Sequence, residues 1–414
     1  MKMPSEFKMM KERFRDKVKL KRRKEFLSEL NYMETLSTGI VDKMFFNGFV
    51  QEAVQLLINA IFLMEEGYYD CAFYSARQSQ EVLNSMLYLS TDNSLLEKWK
   101  NKEKFPPNNQ ILKDLKKVNE NYDEFKSVFK DFFDEFEQLI TQSNKTIHKQ
   151  GIDTFYEVRV RYSDDISFNK NDELELFSKI ISFSICHLYL IYILLDPLGL
   201  ILADDYLDRK LNFAPITEPI SINYLNAHFP MDFMTLIRTT EFYKSLKITF
   251  GHNEDMNDAV YSVIRESFFD LNNLDKIESQ IGLLNNDRRC IFVLRILQTG
   301  LKVSNFFFDK IWVMPDYWTS IPSNYKRMKW SLEESDELFF NNEKYNVPYH
   351  NVYLSAVPMF DDGTLIMEHN EKFSEYEIEN LEKVVLAENE SHRKMVDELL
   401  INLEEYLIKI KDKS

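Results

Sequence analysis

The chain predicts a mainly α fold: an up-down four-helix bundle joined to a second helical domain, which holds a small β-hairpin and ends in a long helix. Three observations carry this expectation. Apolar residues recur at spacings of three and four over long stretches, the mark of helices with one buried face. Only nine glycines and eleven prolines punctuate 414 residues. At 44% apolar residues the chain can also fill more than one core.

Elements follow in order. Residues 1–44 read as a basic amphipathic arm, because Phe7, Met10, Phe14 and Val18 share one helical face. Residues 1–30 carry a charge of +6 against −16 for the whole chain, leaving −22 elsewhere. Such an arm suits RNA, an anionic membrane, or the acidic body of its own protein or of a neighbouring subunit. Residues 45–200 form the bundle. Its first helix runs from Phe46 to Glu66, with Val50, Ala53, Val54, Leu57, Ala60 and Ile61 on the apolar face, and Gly67 stops it. The second covers Asp70 to Leu89. Pro106 and Pro107 then block continuation. A third runs from Asn121 to His148, and a fourth from Asp172 to Leu195 before Pro197.

Residues 201–414 make the C-terminal domain, of unknown role. Helices are expected over Met231–Phe250, Met256–Phe269 and Asp287–Phe308. Two strands, Asn351–Val357 and Thr364–Glu368, meet at Asp361, Asp362 and Gly363 as a small hairpin. Ser374 and Glu377 match a capping box, which opens a last helix reaching nearly to Lys411.

Several functions are excluded by what the sequence lacks. The glycines are never clustered, so neither a P-loop nor a dinucleotide fingerprint is present. Cys71, Cys186 and Cys290 lie far apart in apolar stretches and read as buried thiols of a reducing, cytoplasmic protein. No cofactor or metal is implied. The apolar run Ile180–Leu195 spans about 24 Å as a helix, against roughly 30 Å of hydrocarbon, and reads as a bundle helix without a membrane role. The acidic balance argues against broad, nonspecific nucleic-acid binding.

Chemistry concentrates near residue 148. The polar helix Phe136–His148 stops at Lys149, Gln150 and Gly151. It follows the amphipathic stretch Tyr68–Glu81 and precedes a very apolar helix. This combination resembles the HEPN superfamily of helical bundles, many of which cut RNA in toxin and phage-defence systems. The resemblance covers about residues 45–200. The family's catalytic signature is an Arg, often followed by a polar residue, with a His four after that residue. Asn144 and His148 fit the last two positions, and Ser143 stands where the Arg would be.

The resemblance implies metal-independent endoribonuclease chemistry, with two motifs meeting across a homodimer. A base takes the 2′-hydroxyl proton, an acid serves the leaving oxygen, and a cation holds the phosphate. His148 would be the acid/base and Asn144 would orient the site. Lys145, Lys149 and Arg77, with Glu81 four residues beyond it, would supply the phosphate contacts. Other readings stand beside this one. A His and a Lys in a last helical turn are also ordinary C-terminal capping residues, and Arg77–Glu81 an ordinary ion pair. The cluster would equally suit a module that binds RNA or nucleotide without cutting. A scaffold assembling through its C-terminal helix, with a protein partner there, is the alternative from another class.

Weaker clusters complete the inventory. His252, Asn253, Glu254, Asp255, Asn257 and Asp258 read as a solvated turn. His350 and His369 flank the hairpin. Arg288–Arg289 and Lys326, Arg327 and Lys329, the latter among Tyr325 and Trp330, are the basic patches of the second half.

Overall fold

The computed structural model describes residues 17–155, 170–229, 231–308, 315–325, 344–360 and 363–411. These residues are mainly helical, with a small mixed sheet. The chain divides into two compact units. One runs up to Asp208 and takes back Pro215–His252; the other holds Arg209–Ala214 and Asn253 onward. Pro215–His252 and the residues from 201 to Asp208, expected in the C-terminal domain, therefore cluster with the bundle.

In the first unit α1 is Arg23–Met33, followed by a 3-10 segment, Val41–Phe46. The described part of the arm is thus a docked element. Leu20, Phe26, Leu30 and Met33 are buried, and Arg23 pairs with Glu65 at 2.9 Å. The Phe7, Met10 and Phe14 face lies outside the described residues. Next come α2, Asn47–Glu65, and α3, Tyr69–Leu89, both within a residue of expectation. They pack on each other along their length.

After α4 (Asn93–Lys100) and α5 (Asn108–Val118), the third helix expected from Asn121 to His148 is in fact two: α6, Glu120–Val128, and α7, Lys130–Ile147. Two local features divide α5, α6 and α7. Asn119 accepts from the Tyr122 amide at 3.0 Å and caps α6. Phe129 leaves helical geometry (φ −97°, ψ 32°) as its ring stacks on Phe233.

Helix α8, Lys170–Leu195, lies against α3, α7 and α2. Its rings interleave with theirs: Phe177 meets Phe73 edge-on, and Phe183 stacks on Phe132 at 5.0 Å. Two stretches, Val41–Glu65 and Asn171–Leu195, are long and apolar enough to cross a membrane by length and composition. In the second, 83% of the apolar window is buried within the structure, as a core helix requires.

Short helices complete this unit: α9 Leu198–Leu202, α10 Asp205–Asp208, α11 Ile222–Asn226, α12 Phe233–Ile237 and α13 Glu241–Gly251. The single helix expected over Met231–Phe250 is broken because Thr240 caps a new start, its hydroxyl accepting from the Tyr243 amide at 3.0 Å.

The second unit holds α14, Asp258–Glu266, α15, Leu274–Glu278, and α16, Arg288–Gln298. Two expected helices end early here. Ser267 turns left-handed (φ 54°) after α14, and Gly300 (φ 88°) follows α16. The residues beyond each become strands. The small hairpin is consequently part of a six-stranded sheet. Its strands are β1 Phe268–Phe269, β2 Asn305–Phe308, β3 Tyr317–Thr319, β4 Val347–Tyr349, β5 Val352–Met359 and β6 Gly363–His369.

The strand order is β1-β3-β2-β6-β5-β4, with only β1–β3 parallel. Side chains alternate as a pleat demands: Phe306 and Phe308 enter the core with Leu294, Leu365, Met367 and Leu381, while Phe307 joins Leu354 and Ile366 on the other face. Helix α17, Glu375–Lys411, packs on α16 and β5. Its capping box is formed, with the Ser374 amide donating to Glu377 Oε2 at 2.8 Å.

Candidate functional site

Helix α3 turns Ala72, Phe73, Ala76, Leu83 and Leu87 into the bundle. Asp70, Tyr74, Arg77 and Glu81, three and four apart, consequently share an outer edge. On that edge Arg77 Nε donates to Glu81 Oε1 at 2.8 Å, in a pair about a quarter exposed.

Across from it α7 ends in a Schellman arrangement. The Gln150 amide donates to the Lys145 carbonyl at 2.9 Å, and the Lys149 amide toward Thr146 at 3.4 Å. The residue in the left-handed conformation is Lys149 (φ 54°), where glycine is usual. This geometry presents Asn144 and His148 toward α3.

Arg77 Nη1 reaches both. It donates to Asn144 Oδ1 at 3.1 Å and lies 2.9 Å from His148 Nε2. A guanidinium only donates, so His148 Nε2 is the acceptor and its ring is the neutral Nδ1–H tautomer. No described residue accepts from Arg77 Nη2, which leaves its two N–H groups for a further partner. Four of the six candidate residues, Arg77, Glu81, Asn144 and His148, are thereby brought together.

The two lysines differ. Lys145 is exposed and makes no ion pair with a described residue. Lys149 is engaged, pairing with Asp70 and donating to the Thr154 carbonyl at 3.3 Å. Asp70 was not legible as its partner from sequence. Ser143 is buried, with its hydroxyl on the Ile140 carbonyl at 2.9 Å. A long cationic side chain at that position would point into the bundle, whereas Arg77 brings its guanidinium in from the neighbouring helix.

Cys71, expected among the buried thiols, is exposed, because it falls on the outer side of α3 beside Asp70. Cys186 and Cys290 are buried. Burial pushes the Cys290 thiol up to about 12, against its contact with Tyr317.

The remaining described clusters are held by local contacts. Lys210 donates to the Asn253 carbonyl at 2.8 Å and pairs with Asp255, fastening the acidic turn. His350 stacks on Tyr325, and buried His369 lies 2.9 Å from Ser355 Oγ. Among the described residues no group of His, Cys, Asp and Glu is placed to hold a metal ion. Lys326, Arg327, Lys329 and Trp330 lie outside the described residues.

One feature of the second unit escaped the sequence: a cavity of about 370 Å³ lined in part by Asp287, Arg289, Cys290 and Tyr317. Tyr317 donates to Asp287 Oδ2 at 2.9 Å, and Arg289 grips the same carboxylate at 2.9 and 2.7 Å. Burial opposes ionisation of Asp287, but these bonds outweigh it and hold the carboxyl below its ordinary range. The Asp287-Arg288-Arg289 run, a helix cap with an adjacent cation, was the readable part of this signal.

Compared with known proteins, the chain matches no family model, no curated protein and no solved structure.

Proposed function

We propose that the chain is a HEPN-like protein that binds RNA or a nucleotide at the Arg77–Asn144–His148 cluster, as a component of a bacterial defence or toxin-type system. The observation that carries this reading is the Arg77 guanidinium standing 2.9 Å from His148 Nε2 and 3.1 Å from Asn144 Oδ1. The missing motif arginine is thereby answered from α3.

A phosphate fits the two N–H groups of Nη2, with the exposed Lys145 adding a second positive charge. As a phosphate draws the guanidinium toward itself, the Nε2 lone pair of His148 is released for proton work. Weak metal-independent cleavage then follows one balanced route. His148 takes the 2′-hydroxyl proton, the 2′-oxygen bonds to phosphorus, and the bond to the 5′-oxygen breaks. A proton must reach that leaving oxygen, and the second motif of a homodimer is its source.

The test uses the full chain and a labelled single-stranded RNA. Arg77→Met should weaken binding about tenfold and flatten its salt dependence. His148→Ala should keep most affinity and abolish cleavage. In cells, new RNA fragments made by the wild type should vanish in His148→Ala. Unchanged affinity in Arg77→Met would overturn the reading.

A second reading has its own support. Leu386, Leu399, Leu400 and Ile401 on α17 are each more than half exposed. An apolar series on a 37-residue helix favours a scaffold that assembles through a second copy of this helix. Leu381 and Val385 belong to the core, so cutting the chain at Ser374 would damage the unit itself. Charged substitutions at Leu386 and Leu400, which share one side of the helix, are the cleaner test. Sedimentation should then report a smaller species, and an unchanged mass would exclude assembly through this face.

A further inference from the structure

Beside the Arg77–His148 cluster lies a groove of about 460 Å³, walled by Leu56, Leu63, Cys71, Tyr74, Gln78 and Ile147. Its lining residues adjoin those of the cluster on α3 and α7. Asp70, which holds Lys149, also lines it; Ile147 immediately precedes His148, and Gln78 follows Arg77. Tyr74 stands one helical turn before Arg77 on the same face of α3, 57% exposed, and no described ring stacks on it.

We infer that this groove is a nucleobase subsite, with Tyr74 as its stacking platform. The inference rests on the phosphate-binding reading of Arg77 and names what lies next to that phosphate. Charge complementarity selects the occupant. Guanidinium donors and the exposed Lys145 stand on α3 and α7, the helices that also wall an apolar trough with an open aromatic face; single-stranded nucleic acid uses that pairing, backbone on cations and base on a ring. Gln78 adds an amide donor and acceptor on the wall, suited to a base edge. A protein partner is the poorer fit, since eight lining residues fall well short of the roughly 20–30 residues a side that a stable interface engages. Tyr74 is thus a binding residue that sets preference for base-bearing ligands, distinct from the proton-transfer machinery.

The experiment compares two probes on the full-length chain: a short oligoribonucleotide containing 2-aminopurine, and an abasic oligomer of the same length and charge. The wild type should bind the base-bearing probe about tenfold more tightly and quench its fluorescence. Tyr74→Ala should remove both the preference and the quenching while leaving abasic affinity unchanged; Tyr74→Phe, which keeps the ring, should retain both. Equal wild-type affinity for the two probes would overturn the subsite and leave the phosphate reading standing. Failure to bind either would overturn both. If Tyr74→Ala instead halves the sedimenting mass and leaves the probe preference intact, the groove is a protein interface and the inference is wrong.

Discussion

Arg77 and His148 are 71 residues apart in the chain and 2.9 Å apart in the fold, with the guanidinium donating and the imidazole accepting. That direction fixes the tautomer of the ring. Free imidazole side chains favour the Nε2–H form, so the contact holds His148 in the less common one. Nitrogen chemical shifts of His148 at alkaline pH should show Nε2 as the unprotonated nitrogen. In Arg77→Met the ring should revert toward Nε2–H. A ring already in that form in the wild type would mean the two side chains do not meet.

Lys149 makes a second prediction about the same corner. Its left-handed backbone costs a non-glycine residue on the order of 1 kcal/mol, which the ion pair to Asp70 helps to offset. Lys149→Ala keeps the strain and loses the pair; Lys149→Gly loses both. The glycine variant should therefore be more stable than the alanine variant by about 1 kcal/mol in thermal unfolding. Equal melting would show that position 149 is not held left-handed.

The parts legible in the sequence are those where one period dominates. Val50, Ala53, Val54, Leu57 and Ile61 leave α2 no alternative, and its ends lie where Gly67 and the 3-10 segment put them. Phe306, Phe307 and Phe308 fit helix and strand alike, because three consecutive rings carry no period. Their assignment is decided by pairing with β6, a contact sixty residues away. The site divides the same way. Asn144 and His148 could be placed on one helix face from their spacing. The ion pair between Lys149 and Asp70 could not, because it depends on a left-handed lysine that no local rule foretells.

The capping box at the start of α17 offers a test confined to the second unit. Ser374 Oγ donates to Glu377 Oε2 at 2.8 Å and accepts from the Glu377 amide at 3.3 Å. Ser374→Ala should cost about 1 kcal/mol and speed amide exchange in the first turn of α17. RNA affinity should not change. Unaltered exchange there would mean that packing on α16 and β5, rather than the cap, sets the helix start.

His187 supplies the pH dependence. The ring sits wholly buried on α8 beside Phe133 and Phe136, and its Nδ1 has no hydrogen-bond partner among the described residues. Burial, with a smaller push from Lys126, lowers its pKa from the ordinary 6.5 to about 3. The unfolded chain therefore binds this proton more readily than the folded one. The sign follows: the neutral ring's contribution is fully present above pH 6.5 and is lost progressively as pH falls toward 3. At pH 5 the loss is about 2 kcal/mol. His187→Leu fills similar space and cannot take up a proton, so its stability should fall less steeply over that window. At pH 8 the two chains should differ little, and at pH 5 the leucine variant should be the more stable by about that amount. Denaturant unfolding at the two pH values measures both terms, and parallel losses in the two chains would assign the acid limb to carboxylates instead.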